Sequence, residues 1–184
     1  MTRTVYTVAF LFFLTGWTGH KDAIEAPRAA GNQTGFSDEE MVNRHNHWRG
    51  EVGAPNLRWS DSLATYAQAW ADSLAKEGCA VMHRNQDQYG ENLKWAGARR
   101  SRSGRRFLQR VTPTQVVDEW ADERQWYDYD TDRCQTGQEC GHYTQVVWAK
   151  TWEVGCGRAV CTDKSQVWVC NYSPPGNIVG EKPY

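Results

Sequence analysis

This chain has no apolar run long enough to span a bilayer comfortably. Its main apolar stretch, Val5 to Leu14, falls well short of the roughly 20 residues required. It also has almost no net charge, −1 over 184 residues, so long-range attraction to nucleic acid is not expected. No two cysteines have Cys-x-x-Cys spacing, which weakens a zinc-thiolate reading. Neither a His-Glu-x-x-His helix nor a Gly-x-Ser-x-Gly elbow is present, so two common hydrolase signatures are missing.

What is present points outward. A short basic start at Thr2-Arg3 precedes the apolar run, the pattern of an export signal over residues 1–22, with cleavage between Gly16 and Ala23. A retained signal-anchor is the alternative. Residues 23–36 are Ala-, Gly- and Pro-rich and read as a flexible leader, with Asn32-Gln33-Thr34 as a glycosylation acceptor. Six cysteines, at 79, 134, 140, 156, 161 and 170, form an even set. Behind an export signal they predict three disulfides in an extracellular, secreted protein. Spacing alone leaves all fifteen pairings open. Ten Trp and eight Tyr mostly belong in a core.

The remaining residues, 37–184, read as one α/β domain. A first helix opens at Ser37, with Glu40 completing a capping box, and runs to Arg49 before Gly50. A second runs from Ser60 or Asp61 to Gly78, burying Leu63, Tyr66, Ala67, Trp70, Ala71 and Leu74 on one stripe. Residues 79–112 read as irregular, and six arginines crowd positions 99–110. Such a run reads first as a solvated loop, and more sharply as an anionic-surface or polyanion contact. A third helix starts at Thr112-Pro113 and places Val116, Trp120 and Glu123 on one face. Residues 142–148 are expected to form a strand, with His142, Thr144, Val146 and Trp148 on one side. A hairpin of 154–160 and 166–172 turns around Thr162-Asp163-Lys164. Helices flanking such strands make a sandwich.

Four ionisable residues carry the chemistry: His83, Glu91, Glu123 and His142. Two imidazoles can share a divalent cation while two carboxylates accept their other N–H groups. Glu91 follows Gly90, which permits a close backbone approach. His45, in His45-Asn46-His47, is expected to be structural, because adjacent residues on one helix point in different directions.

Gly141 to Thr151 resembles the first signature of the CAP superfamily (cysteine-rich secretory proteins, antigen 5, pathogenesis-related 1), and Val167 to Ile178 resembles its second. His45-Asn46-His47-Trp48-Arg49 and Gly90-Glu91-Asn92-Leu93 are similar to two further elements of that family. The resemblance implies a three-layer α-β-α sandwich, with a central antiparallel-type sheet stapled by disulfides. It also implies a large cleft in which His83, Glu91, Glu123 and His142 meet, with zinc or magnesium at His83 and His142. Of the two, imidazole suits zinc better. The six cysteines look like the plant pathogenesis-related 1 branch, which implies bridges Cys79–Cys161, Cys134–Cys140 and Cys156–Cys170. The arginine-rich segment departs from that branch, and the absence of a cysteine-rich tail leaves ion-channel blocking unsupported.

These features predict a monomeric, non-enzymatic binding protein in a defence or host-interaction role, and the resemblance implies its ligand class, sterols or fatty-acid lipids that it would sequester. Trp126, Tyr127 and Tyr129 are rim candidates, and a receptor or a membrane surface is a further contact. The alternative is a metal-dependent hydrolase with Glu91 or Glu123 as general base. Two histidines, however, leave a catalytic metal short of the usual three protein ligands. A third expectation rests on the resemblance alone: Pro174 to Tyr184 is similar to the C-terminal signalling peptide that plant members release, here cut after Ser173, against a tail that simply packs.

Overall fold

The computed structural model describes residues 35–184. The expected export signal, the leader up to Thr34 and the Asn32 acceptor lie outside the described residues.

In chain order the elements are α1 (Asp38–Glu51), β1 (Arg58–Trp59), α2 (Asp61–Lys76), β2 (Gly90–Ala96), β3 (Arg99–Arg100), β4 (Arg106–Phe107) and α3 (Pro113–Ala121). A 3-10 turn (Asp122–Trp126) follows, then β5 (Tyr127–Asp128), β6 (Arg133–Cys134), α4 (Gly141–Val146), β7 (Glu153–Val160) and β8 (Gln166–Ser173).

Each long helix begins where a side-chain oxygen can accept an otherwise unsatisfied N–H. Ser37 caps α1, Ser60 caps α2, and Thr112 caps α3 in a full capping box with Gln115. The box expected at α1 is only half made. Glu40 turns instead to the start of α3, accepting from the Thr114 N–H and hydroxyl at 3.2 and 2.7 Å. Helix α1 also runs through Gly50 to Glu51 rather than stopping at Arg49.

The main sheet has the order β1-β7-β8-β2. The β7–β8 and β8–β2 pairs are antiparallel, and the two-residue β1 adds a parallel edge, so the sheet is mixed. Its three-layer character is written in β8. Trp168, Cys170 and Tyr172 face one core with Met41, Val116, Trp120 and Val146, while Val167 and Val169 face a second core with Ala67, Ala71 and Leu74. A strand buried on both faces needs a layer on each side. Helix α2 lies so close to β7 that a Cβ at Gly155 would fall 2.2 Å from the Ala64 nitrogen, and one at Gly157 2.4 Å from Gln68 Cα. Three disulfides, Cys79–Cys161, Cys134–Cys140 and Cys156–Cys170, staple the fold.

Two sequence expectations are corrected. Residues 90–96 are not irregular but form β2, paired with β8 along its whole length. Residues 142–148 are not a strand, since 141–146 form the short helix α4. Local β-preference there gives way to tertiary bonding at both ends of the helix.

Candidate functional site

Two histidines are each paired with a carboxylate. The first pair joins the segment after α2 to the start of β2: His83 Nδ1 lies 2.9 Å from Glu91 Oε1. The Glu91 side chain is 4% exposed and that of His83 61%. Oε1 also accepts from the Arg84 N–H at 3.0 Å, and Oε2 accepts from Asn171 Nδ2 at 3.2 Å. The hydrogen bond to Glu91 raises the His83 pKa, partly opposed by burial. The Cys79–Cys161 bridge pins the chain just before this pair.

The second pair joins the 3-10 turn to α4, because Glu123 lies one turn beyond α3 rather than on it. Glu123 Oε1 is 2.6 Å from His142 Nδ1, and Oε2 accepts the His142 and Tyr143 N–H groups at 2.9 and 3.2 Å. A carboxylate thus satisfies the first free donors of α4 and meets the positive end of its dipole. Trp120 stacks on the His142 ring, with centroids 6.2 Å apart and planes at 17°. The expected alignment of His142 with Thr144, Val146 and Trp148 fails because the backbone is helical: Thr144 Oγ1 bonds back to the Cys140 carbonyl instead.

A chain of hydrogen bonds that the sequence did not suggest ties α4 to the sheet and to α1. Asn92 Nδ2 donates to the His142 carbonyl at 3.1 Å and to the Tyr172 hydroxyl at 3.3 Å. That hydroxyl is 2.9 Å from His45 Nε2, whose Nδ1 is 2.8 Å from the Met41 carbonyl. His45 is therefore bonded across to its neighbours inside the core. Arg49, fully buried, donates to the carbonyls of Pro55, Val146, Trp148 and Thr151. Two of these lie at the C-terminal end of α4, where a cation is favoured. Gly90 makes the packing against α4 possible, since a Cβ there would stand 2.0 Å from Gln145 Oε1.

Glu139 was also missed. With Glu123 and His142 it brings ligand atoms within 4.8 Å of one another, the only such trio among the described residues. Its position three residues before His142, beside Cys140, was the available signal. His83 and Glu91 lie outside this trio.

The description "Cysteine-rich secretory protein family" (CAP) matches residues 42–172. The chain belongs to the CAP family. It is 43% identical to pathogenesis-related protein 1A of Nicotiana tabacum over 148 residues, covering 80% of this chain and 81% of that protein. The structure of BmVAL-1 superposes with a TM-score of 0.66 at 24% identity, covering 85% of each chain. That of NaASP2 with Zn2+ superposes with a TM-score of 0.61 at 21% identity, covering 83% and 88%.

In this CAP chain, Nδ1 of His83 and Nδ1 of His142 each face a carboxylate. Among the described residues, neither Nε2 has a hydrogen-bond partner. Each ring is thus oriented by its carboxylate through one nitrogen and keeps the other unpartnered, the arrangement common to metal-ligating imidazoles. The rim candidates divide. Trp126 and Tyr127 are half-buried, and Tyr127 packs against the core and bonds Asp132 at 2.6 Å. Tyr129 is exposed but stacks on Tyr184 at 4.6 Å.

The C-terminal tail is held down. The Ala149 N–H donates to the Pro183 carbonyl at 2.6 Å, the Tyr143 and Tyr184 hydroxyls meet at 3.2 Å, and Lys150 pairs with Glu181 at 2.7 Å. A groove of about 460 Å³ lies elsewhere, lined by polar and charged side chains of α1 and its cap Ser37 together with Thr114, and by none of the four site residues.

Proposed function

We propose that this CAP protein is an extracellular binding protein of a defence or host-interaction setting. It captures sterols or fatty-acid lipids at an apolar surface beside a His83/His142 centre that holds a divalent cation, zinc before magnesium. The observation that carries the reading is the exposed pair Val81 and Met82, 51 and 52% exposed, immediately before the His83–Glu91 pair. Apolar side chains held open on a disulfide-pinned segment are ready to be covered. A micromolar complex needs about 8 kcal/mol net. Burying about 500 Å² of ligand and protein apolar area supplies about 12 kcal/mol before association costs. The zinc named with NaASP2, a fold relative, supports the choice of metal.

Binding is preferred over turnover because the two carboxylates are already committed. Glu91 and Glu123 each spend both oxygens on N–H groups, which suits orienting an imidazole better than taking a proton from substrate. One observation favours a hydrolase as the second reading: Glu139 would give a metal at His142 a further protein ligand.

Retention of labelled cholesterol or palmitate by the purified protein tests the first reading. Retention should exceed that of a denatured control and fall in Val81→Ser/Met82→Ser. No excess over the control would end it. Zinc-dependent ester or peptide cleavage that vanishes in His142→Ala would install the second reading.

A further inference from the structure

Residues 92–117 contain Lys94 and six arginines, at 99, 100, 102, 105, 106 and 110, and no acidic side chain. This segment carries +7 and the rest of the chain −8, which leaves the net −1. The fold concentrates the arginines on a small hairpin. Strand β3 pairs with β4 so that Arg99 faces Phe107 and Arg100 faces Arg106. Two like charges directly opposite one another destabilise a strand pair. The turn between them is closed by the Ser101 carbonyl, which accepts from Gly104 N–H at 3.0 Å, with Gly104 at φ +81°. Arg106 pairs with Asp163 at 2.8 Å, and Gln166 Nε2 holds the Gln109 carbonyl at 2.8 Å. Among the described residues the other five arginines form no ion pair.

Apolar side chains are interspersed with these cations along the segment, and the Arg105 guanidinium lies 5.2 Å from the centre of the Phe107 ring. Trp95, Phe107 and Leu108 are 50, 42 and 44% exposed. A merely solvated basic loop has no need of them, and neither does a groove for a soluble polyanion, which needs cations alone. Both kinds of group match the boundary of an anionic bilayer. Aromatic rings sit there at headgroup depth, arginine stems lie along apolar surface, and guanidinium heads meet phosphates.

We propose that the β3–β4 hairpin, with Trp95 and Leu108, is a docking surface for an anionic lipid bilayer. The surplus negative charge elsewhere keeps other faces off the membrane, so the molecule docks in one orientation. The surface is separate from the His83/His142 centre and acts whether or not that centre holds a ligand.

The test is co-sedimentation of the full chain with phosphatidylcholine vesicles, with and without phosphatidylserine, over a salt series. Binding should require phosphatidylserine and weaken as salt rises. Arg99→Ser/Arg100→Ser/Arg102→Ser should bind about a hundredfold more weakly. Phe107→Ser/Leu108→Ser should lose about tenfold while keeping the same salt dependence. Unchanged circular dichroism would establish that both variants fold; an arginine variant that fails this check is replaced by Arg99→Gln/Arg100→Gln/Arg102→Gln, and an apolar one by Phe107→Ala/Leu108→Ala. The proposal is overturned by equal binding to neutral vesicles, by no binding to either, or by an unaffected arginine variant. Retention on polygalacturonate that ignores Phe107 and Leu108, in place of vesicle binding, would also overturn it and assign the hairpin to a polyanion.

Discussion

Acidification reaches the interior of this protein at His45, which is fully buried on α1. The neutral ring satisfies both of its neighbours: Nδ1–H donates to the Met41 carbonyl at 2.8 Å, and Nε2 accepts from the Tyr172 hydroxyl at 2.9 Å. A second proton would enter a dry site near the Arg49 guanidinium. Burial therefore pushes the pKa from 6.5 down to about 4; the Met41 bond opposes this and the Arg49 charge adds to it. In the unfolded chain the ring titrates near its ordinary value. Between pH 6.5 and about 4 the unfolded state thus binds the extra proton, and stability falls as pH falls through that window. The full shift corresponds to roughly 3 kcal/mol, of which about 2 kcal/mol is lost by about pH 5. Urea unfolding with disulfides intact, at about pH 7.5 and about pH 5, measures it. His45→Gln removes the titrating ring and leaves every carboxylate in place. The wild type should lose about 2 kcal/mol more than this variant between the two conditions. Equal losses would refute the account of His45.

Arg49→Lys should destabilise the fold by about 3 kcal/mol in the same assay, because one ammonium cannot replace a fork that serves four buried carbonyls. Gly90→Ala should cost about 2–3 kcal/mol. The new methyl meets Gln145 Oε1, and that side chain is held by the Gly176 N–H at 3.0 Å and by Thr151 Oγ1 at 3.3 Å. Glu123→Gln should weaken zinc binding by about 10- to 100-fold in calorimetry. Whichever way the new amide turns, its NH2 group donates and cannot accept, so either the His142 ring loses the acceptor that orients it or the His142 and Tyr143 amides lose theirs and exchange faster.

The chain is most legible where structure is local. Ser37, Ser60 and Thr112 cap the helices that their sequence contexts announce, and the β7–β8 hairpin follows from two apolar runs around a polar turn. It is least legible where a distant partner decides. Tyr143, Thr144, Val146 and Val147 prefer strands, yet residues 141–146 are helical. The N–H groups at the start of α4 are taken by Glu123, 19 and 20 positions away, and carbonyls at its far end by Arg49, 97 and 99 positions away. No window along the sequence contains both. Strand β2 was hidden for a related reason. Asn92 is buried, but it is held there by hydrogen bonds to His142 and Tyr172 rather than by apolar alternation. The carboxylate of Glu40 looked committed to its own helix and serves α3 instead.

The same bonding explains how so short a helix holds His142 in place. Six residues do not hold a helical conformation by themselves, so the position of His142 is set by the groups that grip the ends of α4. Arg49 and the His45–Tyr172–Asn92 chain convey the placement of α1 and the sheet to that ring, while Glu123 fixes its tautomer and direction. Disturbing α1 should therefore be felt at His142, although the two are far apart in sequence. The arginine hairpin lies outside this network. It is tied to the framework through Asp163 and Gln166, at the turn beyond β7 and the start of β8. Its charge and apolar surface can change without moving either histidine, which is the separation a protein needs if one face reads its surroundings and another holds its ligand.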